Sequence, residues 1–366
     1  MPALAVFLTD ALATFEAKGE VKPRYYNPGG FFDEVHFFSP TRQEVDPRRV
    51  QTLVGEARLV IHAMGPRYPL AGVSPTGRLA RVLRAVRPAV IRAYDPALRG
   101  ALAVIWGRRL GVPSVVSAHA DLDDQRAFER RPAHRLRRRI EAFTLPRSTR
   151  VIGVSEYVGQ YARRYGARAV EVIYNRVDTA QFAPAERLPS SRPIVLSVAR
   201  MVAQKAPDCI VRAVHGLDAR LVLVGDGPRA AEIAGLVQAL GLEERVDVVP
   251  AVPHRDIAKH YAAADVFALA THYEGFCIPV LEAMAAGLPV VASDVPPIRE
   301  ILGDTGLLVA TRPDAFREAI ARIVGDGRLR ADLAARARQR ALALDGARME
   351  RRERDLYASL LGAPPR

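Results

Sequence analysis

Short apolar runs recur at intervals through the first half of the chain. They occupy positions 4–8, 34–38, 58–63, 89–94, 114–119, 150–155 and 170–174. Continuous apolar runs of this length, bounded by polar residues, are typical of strands buried on both faces of a sheet. Helix-like stretches separate several of the runs. This alternation predicts βαβ units with a parallel sheet, and therefore a Rossmann-like first domain.

The same pattern returns after a polar stretch near the middle of the chain. Pro184 and Pro189, with a pair of serines, interrupt the periodic segments and indicate a linker. A strand ending near Val198 then begins a second series of strands and helices, and the chain is helical beyond Val309. The pattern predicts four segments, at 1–183 (first domain), 184–193 (hinge), 194–346 (second domain) and 347–366 (C-terminal helix).

The stretch 266–309 carries two carboxylates that need an explanation. Glu274 follows the apolar run VFALAT, at the carboxyl end of a predicted strand, where open parallel sheets bind ligands. Pro279 suits the first turn of a short helix, so the amides of residues 276–278 would lie at a helix N-terminus, which favours anions. Glu282 lies on that helix among apolar residues, and its carboxylate therefore needs a hydrogen-bonding partner, such as a sugar hydroxyl.

The string EGFCIPVLEAMAAGLPVVAS resembles the E-x7-E region of the retaining GT-B glycosyltransferases, the family 4 or group 1 enzymes. In that family the first glutamate, here Glu274, contacts the sugar of a nucleoside-diphosphate sugar, and the second, here Glu282, holds the ribose. Arg200 and Lys205 match the family's R-x4-K motif, whose two cations stabilise the departing diphosphate. The resemblance therefore implies a retaining, metal-independent glycosyltransferase of the hexosyltransferase type.

The resemblance also implies the fold and the remaining site residues. The implied fold is α/β of the GT-B type, with two Rossmann-like domains whose parallel sheets face a central cleft. The first domain would lie on the acceptor side, the second would bind the nucleotide-sugar, and the last helix would cross back to the first domain. The implied catalytic residues are His119, Glu274, Arg200 and Lys205. The donor-binding residues are Arg200, Lys205, Gly227, Val252, Glu274, Gly275, Phe276, Cys277, Ile278 and Glu282.

One glycine-rich tract has a competing interpretation. Residues 225–230 read G-x-G-x-x-A after a predicted strand, with Asp247 about twenty residues further on, a pattern that alone would indicate a dinucleotide site. A dinucleotide fingerprint belongs to the first strand of a Rossmann domain, whereas this tract follows the second strand of its domain. Because the resembled family carries the same tract in its nucleotide-sugar domain, we assign Gly227 to the donor site.

A second pattern bears on metal binding. Asp121 and Asp123 form a literal D-x-D, and two such carboxylates can share a divalent cation with a diphosphate. Acidic loops after strands are common, however, and the resembled family needs no such metal. We therefore expect no metal and no cofactor besides the nucleoside-diphosphate sugar, which is a co-substrate. Dependence on manganese would instead indicate the aspartate pair.

The net charge of +13 is concentrated in the first half, where residues 1–190 contain 30 Lys+Arg against 18 Asp+Glu. The most basic window is Arg126–Arg150, and within it Leu136, Ile140 and Phe143 form an apolar stripe on a predicted helix. Such a helix either faces solvent or binds an anionic membrane surface. Nucleic acid is a weaker alternative, because the window lacks a recognised motif and interleaved aromatic residues.

Cysteine content bears on location. Cys209 and Cys277 offer neither a disulfide framework nor metal-ligand spacing, so we expect a reducing cytoplasm, with peripheral binding to the inner face of the membrane if the basic helix binds lipid. Two other functions stay open: a GT-B nucleotide-sugar epimerase, and a non-catalytic lipid- or nucleic-acid-binding protein on the same fold. The sequence determines neither the base and sugar of the donor, nor the acceptor, nor the oligomeric state.

The chain departs from the family pattern at three places. Arg176 replaces the usual hinge glycine, Ala206 follows Lys205 where glycine or asparagine is usual, and no Gly-Gly pair follows the first strand. If position 176 required a positive φ, arginine there would cost on the order of 1 kcal/mol.

Overall fold

The protein consists of two α/β units. The computed structural model describes residues 2–17, 22–43, 45–184 and 191–362. One compact unit comprises Met1–Tyr174 together with Arg348–Arg366, and the other comprises Asn175–Ala347. Each unit is built on its own parallel sheet, as the alternation of apolar runs and helix-like stretches predicts.

The chain passes from the first unit to the second after Tyr174, earlier than the boundary at 183 that composition predicts. The residues that follow are tied to the second unit by hydrogen bonds. For example, the backbone N–H of Gly346 donates to the carbonyl of Val177 (2.9 Å). Of the predicted hinge at 184–193, residues 185–190 lie outside the described part of the chain.

The sheet of the first unit has seven parallel strands in the order β3-β2-β1-β4-β5-β6-β7. Its strands are β1 (Ala3–Phe7), β2 (Glu34–Ser39), β3 (Arg58–Ala63), β4 (Val90–Ala93), β5 (Ser114–Ala118), β6 (Arg150–Gly153) and β7 (Val170–Val172). Each coincides with one of the apolar runs. The five strands β1, β2, β4, β5 and β6 are almost entirely buried, as expected where helices cover both faces of a parallel sheet.

The sheet of the second unit has six parallel strands in the order β10-β9-β8-β11-β12-β13. Its strands are β8 (Ile194–Val198), β9 (Arg220–Val224), β10 (Val246–Val249), β11 (Val266–Leu269), β12 (Val290–Ser293) and β13 (Leu307–Val309). In each sheet the strand order reverses next to the first strand, between β1 and β4 and between β8 and β11. Loops that leave the carboxyl ends of the strands at such a reversal are where ligands bind in open α/β sheets.

Helices alternate with these strands along the described chain. They are α1 (Leu12–Ala17), α2 (Pro47–Val50), α3 (Tyr68–Ala71), α4 (Arg78–Val86), α5 (Leu98–Leu110), α6 (Leu122–Glu129), α7 (His134–Thr144), α8 (Glu156–Arg164), α9 (Pro207–His215), α10 (Ala230–Ala239), α11 (His254–Ala263), α12 (Ile278–Ala285), α13 (Pro296–Leu302), α14 (Pro313–Gly325), α15 (Gly327–Ala343) and α16 (Gly346–Leu360). Over the described ranges, every helix is too short or too polar to cross a lipid bilayer.

The last helix supplies part of the first unit's core. Met349, Leu356 and Tyr357 of α16 are buried among the apolar residues of β1, β2 and their connections. The ring of Tyr357 packs against that of Phe32, with centroids 5.0 Å apart. The first unit therefore depends on a segment that is more than 170 residues distant along the chain from the end of its N-terminal part.

Candidate active site

A buried ion pair lies at the carboxyl edge of the second sheet. Lys205 lies in the loop after β8 and Glu274 in the loop after β11, and the Lys205 ammonium contacts a Glu274 carboxylate oxygen. The two side chains are only 11% and 7% exposed. Burial by itself would lower the pKa of Lys205, but the Glu274 carboxylate outweighs that effect and raises it. The lysine is therefore a fixed positive charge beside the carboxylate.

A chain of hydrogen bonds holds these two loops together. The Gln204 side-chain amide donates to the carbonyl of Tyr273 (2.7 Å), and the backbone N–H of His272 donates to the carbonyl of Gln204 (2.9 Å). The Thr271 N–H donates to the Ser293 hydroxyl at the end of β12 (2.9 Å). Lys205 and Glu274 are thus each adjacent in sequence to residues that fix the loop, which gives their contact a defined geometry.

Glu282 is buried on α12, and its two oxygens have separate partners. The Tyr261 hydroxyl donates to Oε2 (2.8 Å), while Nε2 of His254 lies 2.9 Å from Oε1. Burial and the negative charge of Glu282 raise the pKa of Tyr261, which keeps its hydroxyl a donor. The ring of Phe182 packs edge-on against both partners. A carboxylate oxygen can accept two hydrogen bonds, so each oxygen of Glu282 can accept a further hydrogen bond from a ligand hydroxyl.

The sequence interpretation missed His254 and Tyr261. Both lie on α11, seven positions apart, so they share a face of that helix two turns from each other. That spacing of two polar rings was the available signal. It did not identify Glu282 as their partner, because the contact joins residues 28 and 21 positions apart.

The turn between Glu274 and α12 is strained at its last residue. Cys277 precedes the helix with φ 73° and ψ 71°, a left-handed conformation that side chains other than glycine rarely adopt. Gly275, Phe276 and Cys277 are buried, and Ile278 begins the helix half-buried. Burial and the nearby Glu274 charge raise the pKa of the Cys277 thiol, so it stays protonated at neutral pH. The residues predicted to offer amides to an anion therefore lie in one turn at a helix N-terminus.

The glycine tract shapes the loop that carries Arg200. A Cβ atom added to Gly225 would lie 1.9 Å from the carbonyl oxygen of Ala199, and one added to Gly227 would lie 2.5 Å from that of Met201. The Met201 N–H donates to the carbonyl of Asp226 (2.8 Å). These glycines allow the tract to pack directly against the backbone on either side of Arg200.

Arg200 and Val252 lie in loops that follow the carboxyl ends of β8 and β10. The Arg200 side chain is exposed, and its positive charge acts on Lys205. Val252 is half-buried in the loop between β10 and α11, two residues before His254. The structure thus brings Lys205 and Glu274 into contact and places Arg200 within electrostatic range of the pair.

His119, the predicted site residue of the first unit, follows β5 at the carboxyl edge of that sheet. Its side chain is exposed and stacks on the ring of Tyr94, with centroids 6.0 Å apart and planes 24° apart. Although part of the residue's surface is exposed, the protein packed around the ring, followed by the Arg92 guanidinium, lowers the pKa of His119 to about 4. The imidazole is therefore neutral at physiological pH.

The D-x-D residues have protein partners. Asp121 is buried, caps α6 by accepting from the N–H of Asp123 (2.9 Å), and pairs with Arg164. Asp123 accepts from Arg126 (2.6 Å). Within the described residues, no group of three or more His, Cys, Asp or Glu side chains has a geometry suited to a metal ion.

Two family models match the chain, one after the other. Residues 33–181 match the model described as Glycosyltransferase Family 4, and residues 178–340 match the model described as Glycosyl transferases group 1.

Individual relatives of this chain are glycosyltransferases as well. A GDP-mannose-dependent alpha-mannosyltransferase of Mycobacterium tuberculosis is 32% identical over 287 residues, which are 72% of this chain and 71% of that protein. A D-inositol 3-phosphate glycosyltransferase of Kineococcus radiotolerans is 34% identical over 214 residues, 48% of this chain and 49% of the relative. For this relative and three others, the matched part covers 34% to 56% of the relative's own length. The chain therefore spans about half the length of these relatives, or less.

Solved structures share the fold. Sucrose-phosphate synthase from Thermosynechococcus elongatus is 22% identical, covers 100% of both chains and has a TM-score of 0.80. Anabaena HepE in complex with UDP-glucose is 19% identical, covers 98% of this chain and 100% of that chain, and has a TM-score of 0.77. With two parallel-sheet α/β domains and matches to both family models, the chain belongs to the GT-B glycosyltransferases of group 1 and family 4.

Proposed function

We propose that this glycosyltransferase moves a sugar from a nucleoside-diphosphate sugar to a glycan or lipid-linked acceptor with retention of anomeric configuration. The observation that carries the proposal is the buried Lys205–Glu274 pair at the carboxyl edge of the second sheet, with Arg200 nearby. Such a group offers cations to a diphosphate and carboxylate oxygens to sugar hydroxyls. A site that combines both kinds of group suits a sugar joined to a diphosphate better than it suits a free sugar or a free diphosphate.

Each residue has a proposed role in that site. Arg200 and Lys205 hold the diphosphate, assisted by the amides at the start of α12, since a helix N-terminus favours negative charge. Glu274 accepts hydrogen bonds from the donor sugar, and Glu282 accepts them from the ribose. Gly227 and Val252 border the nucleotide. His119 acts as a catalytic residue at the sugar.

The proposed chemistry requires no metal, because Arg200 and Lys205 supply positive charge where the diphosphate leaves. The bond between the anomeric carbon and the phosphate oxygen breaks, and the acceptor oxygen attacks the same face. The departing phosphate oxygen takes the acceptor's proton. Positive charge stabilises this step because the leaving diphosphate gains negative charge as the bond breaks.

The names of similar proteins narrow the substrates worth testing. HepE has been crystallised with UDP-glucose, one relative is named GDP-mannose-dependent, and another is named for D-inositol 3-phosphate. We therefore propose a hexose donor on UDP or GDP, and an acceptor hydroxyl on a polyol phosphate, a lipid-linked glycan or a related glycan.

A ligand screen followed by product analysis tests the function. Among UDP-, GDP- and ADP-sugars, the true donor at a hundred times its Kd should add about 2.7 kcal/mol to the stability of the folded protein and raise its Tm. Proton NMR of the product formed with an acceptor should show the donor's anomeric configuration. Inversion, or conversion of the donor to an epimer without any acceptor, would contradict the proposal, as would activity abolished by a chelator.

We also propose that α7 attaches the enzyme to the inner face of the membrane from the cytoplasm. Two residues of the apolar stripe of this helix face solvent, with Leu136 65% and Phe143 37% exposed, while the third, Ile140, is half-buried. Arg135 and Arg139 on the same helix are exposed as well. A face that presents apolar side chains between arginines suits an anionic lipid surface, where each cation contributes about 1 kcal/mol.

Vesicle co-sedimentation tests this attachment. We expect the protein to sediment with phosphatidylserine-containing vesicles at low salt and to be released as salt rises. Leu136→Asp should abolish the association. Leu342→Asp is the matched control, since Leu342 is 50% exposed on α15 of the other unit and should have no effect. Equal binding by both variants, or no binding by the wild type, would refute the attachment through α7.

A further inference from the structure

Arg92 is a buried cation in the middle of the first unit's sheet. It lies on β4, between β1 and β5, and only 2% of its surface is exposed. Its Nη2 donates to the Ser117 hydroxyl (2.7 Å) and lies 3.3 Å from a carboxylate oxygen of Glu353 on α16. Its Nε and Nη1 are buried without a hydrogen-bond partner among the described residues. Burying a charge with unpaired N–H groups lowers the stability of the fold, so the position of this guanidinium requires an explanation.

The ring of Tyr94 provides the missing contact. The guanidinium carbon of Arg92 lies 4.3 Å from the centroid of that ring, which is a cation–π distance. Tyr94 also stacks with Tyr25 on one hand, with centroids 5.9 Å apart, and with His119 on the other, with centroids 6.0 Å apart. The three rings form a stacked row at the carboxyl edge of the sheet, and Arg92 is the charged group in contact with its central member.

The strand geometry explains why these groups meet. Tyr94 directly follows β4, two positions after Arg92, and His119 directly follows the neighbouring strand β5, two positions after Ser117. Side chains two positions apart point to the same face of a sheet. The hydrogen bond from Arg92 to Ser117 and the stacking of Tyr94 on His119 are therefore successive contacts across one pair of strands.

The protein around the imidazole is the larger cause of the low pKa of His119, and the charge of Arg92 adds to it. The charged groups that act on His119 are Arg92, which lowers its pKa, and Glu353, which raises it. A neutral imidazole keeps one donor and one acceptor nitrogen, whereas an imidazolium has two donors. Next to an anomeric carbon that gains positive charge in the transition state, a neutral ring is the favourable form.

We propose that Arg92 is a positioning residue for the transfer reaction, which holds Tyr94 and, through that ring, fixes the orientation of His119. The proposal rests on the catalytic role proposed above for His119. Arg92 itself is covered and does not contact substrate. Its role is to make the stacked row rigid and to keep a positive charge next to it.

NMR titration of the His119 ring, assigned by comparison with His119→Gln, tests the proposal without any substrate. In Arg92→Met the pKa of His119 should rise from about 4, while the protein around the ring still keeps it below its ordinary value of about 6.5. Arg92→Lys keeps the charge but not the planar contact with the ring, so the low pKa should persist. In both variants the ring-current shift that Tyr94 imposes on the His119 protons should shrink. Arg81→Met, at an exposed arginine of α4, is the matched control and should change neither property.

Kinetics give the second measurement. We expect Arg92→Met to lower kcat by about tenfold or more with the KM for donor within about twofold of wild type, because the donor site itself is intact. Tyr94→Leu, which breaks the link while leaving Arg92 in place, should lower kcat similarly, and it serves as the test if Arg92→Met does not fold.

An unchanged ring-current shift on the His119 protons in Arg92→Met and Arg92→Lys would overturn the positioning role. If Arg92→Met does not fold, a wild-type kcat in Tyr94→Leu would overturn it. If the wild type transferred no sugar at all, the proposed function would fail, while the ring-current shift would still decide whether Arg92 positions His119.

Discussion

At the scale of single residues, the candidate site depends on the Lys205–Glu274 pair. Its side chains come from loops after different strands and are almost completely buried. A buried ion pair contributes little net stability, yet removing one partner leaves the other as an uncompensated charge. The pair is therefore better explained by what it binds than by what it adds to folding, and paired substitutions separate those two contributions.

Paired substitution of Lys205 and Glu274 should show strong coupling in stability. Lys205→Met alone and Glu274→Gln alone should each lower the free energy of unfolding, because each leaves a buried group unpaired. The double variant should be more stable than the sum predicts, by about 1–3 kcal/mol. Urea unfolding of the four proteins measures this coupling, and strict additivity would show that the two side chains do not interact in solution.

A second residue-scale prediction concerns Ala206. The residue has φ 36° and ψ 53°, a left-handed conformation in which alanine is strained and glycine is not. Ala206→Gly should therefore raise the free energy of unfolding by up to about 1 kcal/mol. Chemical denaturation measures the change. A loss of stability would mean that the buried methyl group contributes more than the backbone strain removes.

At the scale of elements, the site is built from loops at the carboxyl ends of β8 and β11 and from the start of α12. The glycine tract after β9 supports the first of these loops by close backbone packing. The tract therefore has a defined structural function, which is to set the position of the segment that carries Arg200. Whether it also contacts a nucleotide is part of the proposed function.

Gly225→Ala should test that supporting role. The added Cβ would lie 1.9 Å from the Ala199 carbonyl oxygen, a backbone atom, and φ at this position is 151°, so the loop would have to move. We expect a loss of at least about 3 kcal/mol in the free energy of unfolding. Gly235→Ala on α10 is the matched control. It meets nothing within 4 Å, and it should add about 1 kcal/mol to helix stability.

The apolar pattern predicted these elements well, and side-chain partners less so. Each apolar run of the first half coincides with a strand, since burial on both faces leaves a direct record in the sequence. The partners of Glu282 left no such record, because they come from a helix more than twenty positions earlier. Likewise, α7 buries Glu141 while Leu136 is exposed, so its apolar stripe alone would have placed the wrong face inward.

At the scale of the whole molecule, the chain returns to its first unit at the end. Residues from Arg348 onward belong to that unit, where α16 contributes Met349, Leu356 and Tyr357 to the core. Glu353 on the same helix forms an ion pair with the buried guanidinium of Arg92. Composition predicted that the first domain ends near residue 183, whereas the second unit begins at Asn175. Composition could not show this, because the residues after Tyr174 are joined to the second unit by hydrogen bonds to residues far along the chain.

Truncation before Arg348 should consequently destabilise the first unit. It removes the buried side chains of Met349, Leu356, Tyr357 and Ala358 and the counter-ion of Arg92. Loss of one large core residue alone typically costs about 3–5 kcal/mol. Calorimetry should show the transition of the first unit lost or shifted to much lower temperature. An unchanged profile for the truncated chain would contradict this assignment.

The central claim is that Lys205, Arg200, Glu274 and Glu282 form one binding site for a nucleoside-diphosphate sugar. Isothermal titration calorimetry with the donor identified by screening tests this claim most directly. The variants are Lys205→Met and Glu282→Ala. The control is Lys259→Met, because Lys259 lies on α11 with its side chain 82% exposed. We predict that Lys205→Met and Glu282→Ala weaken donor binding by about tenfold or more, about 1.4 kcal/mol each, while Lys259→Met binds like wild type. Equal affinity in all four proteins would contradict the account.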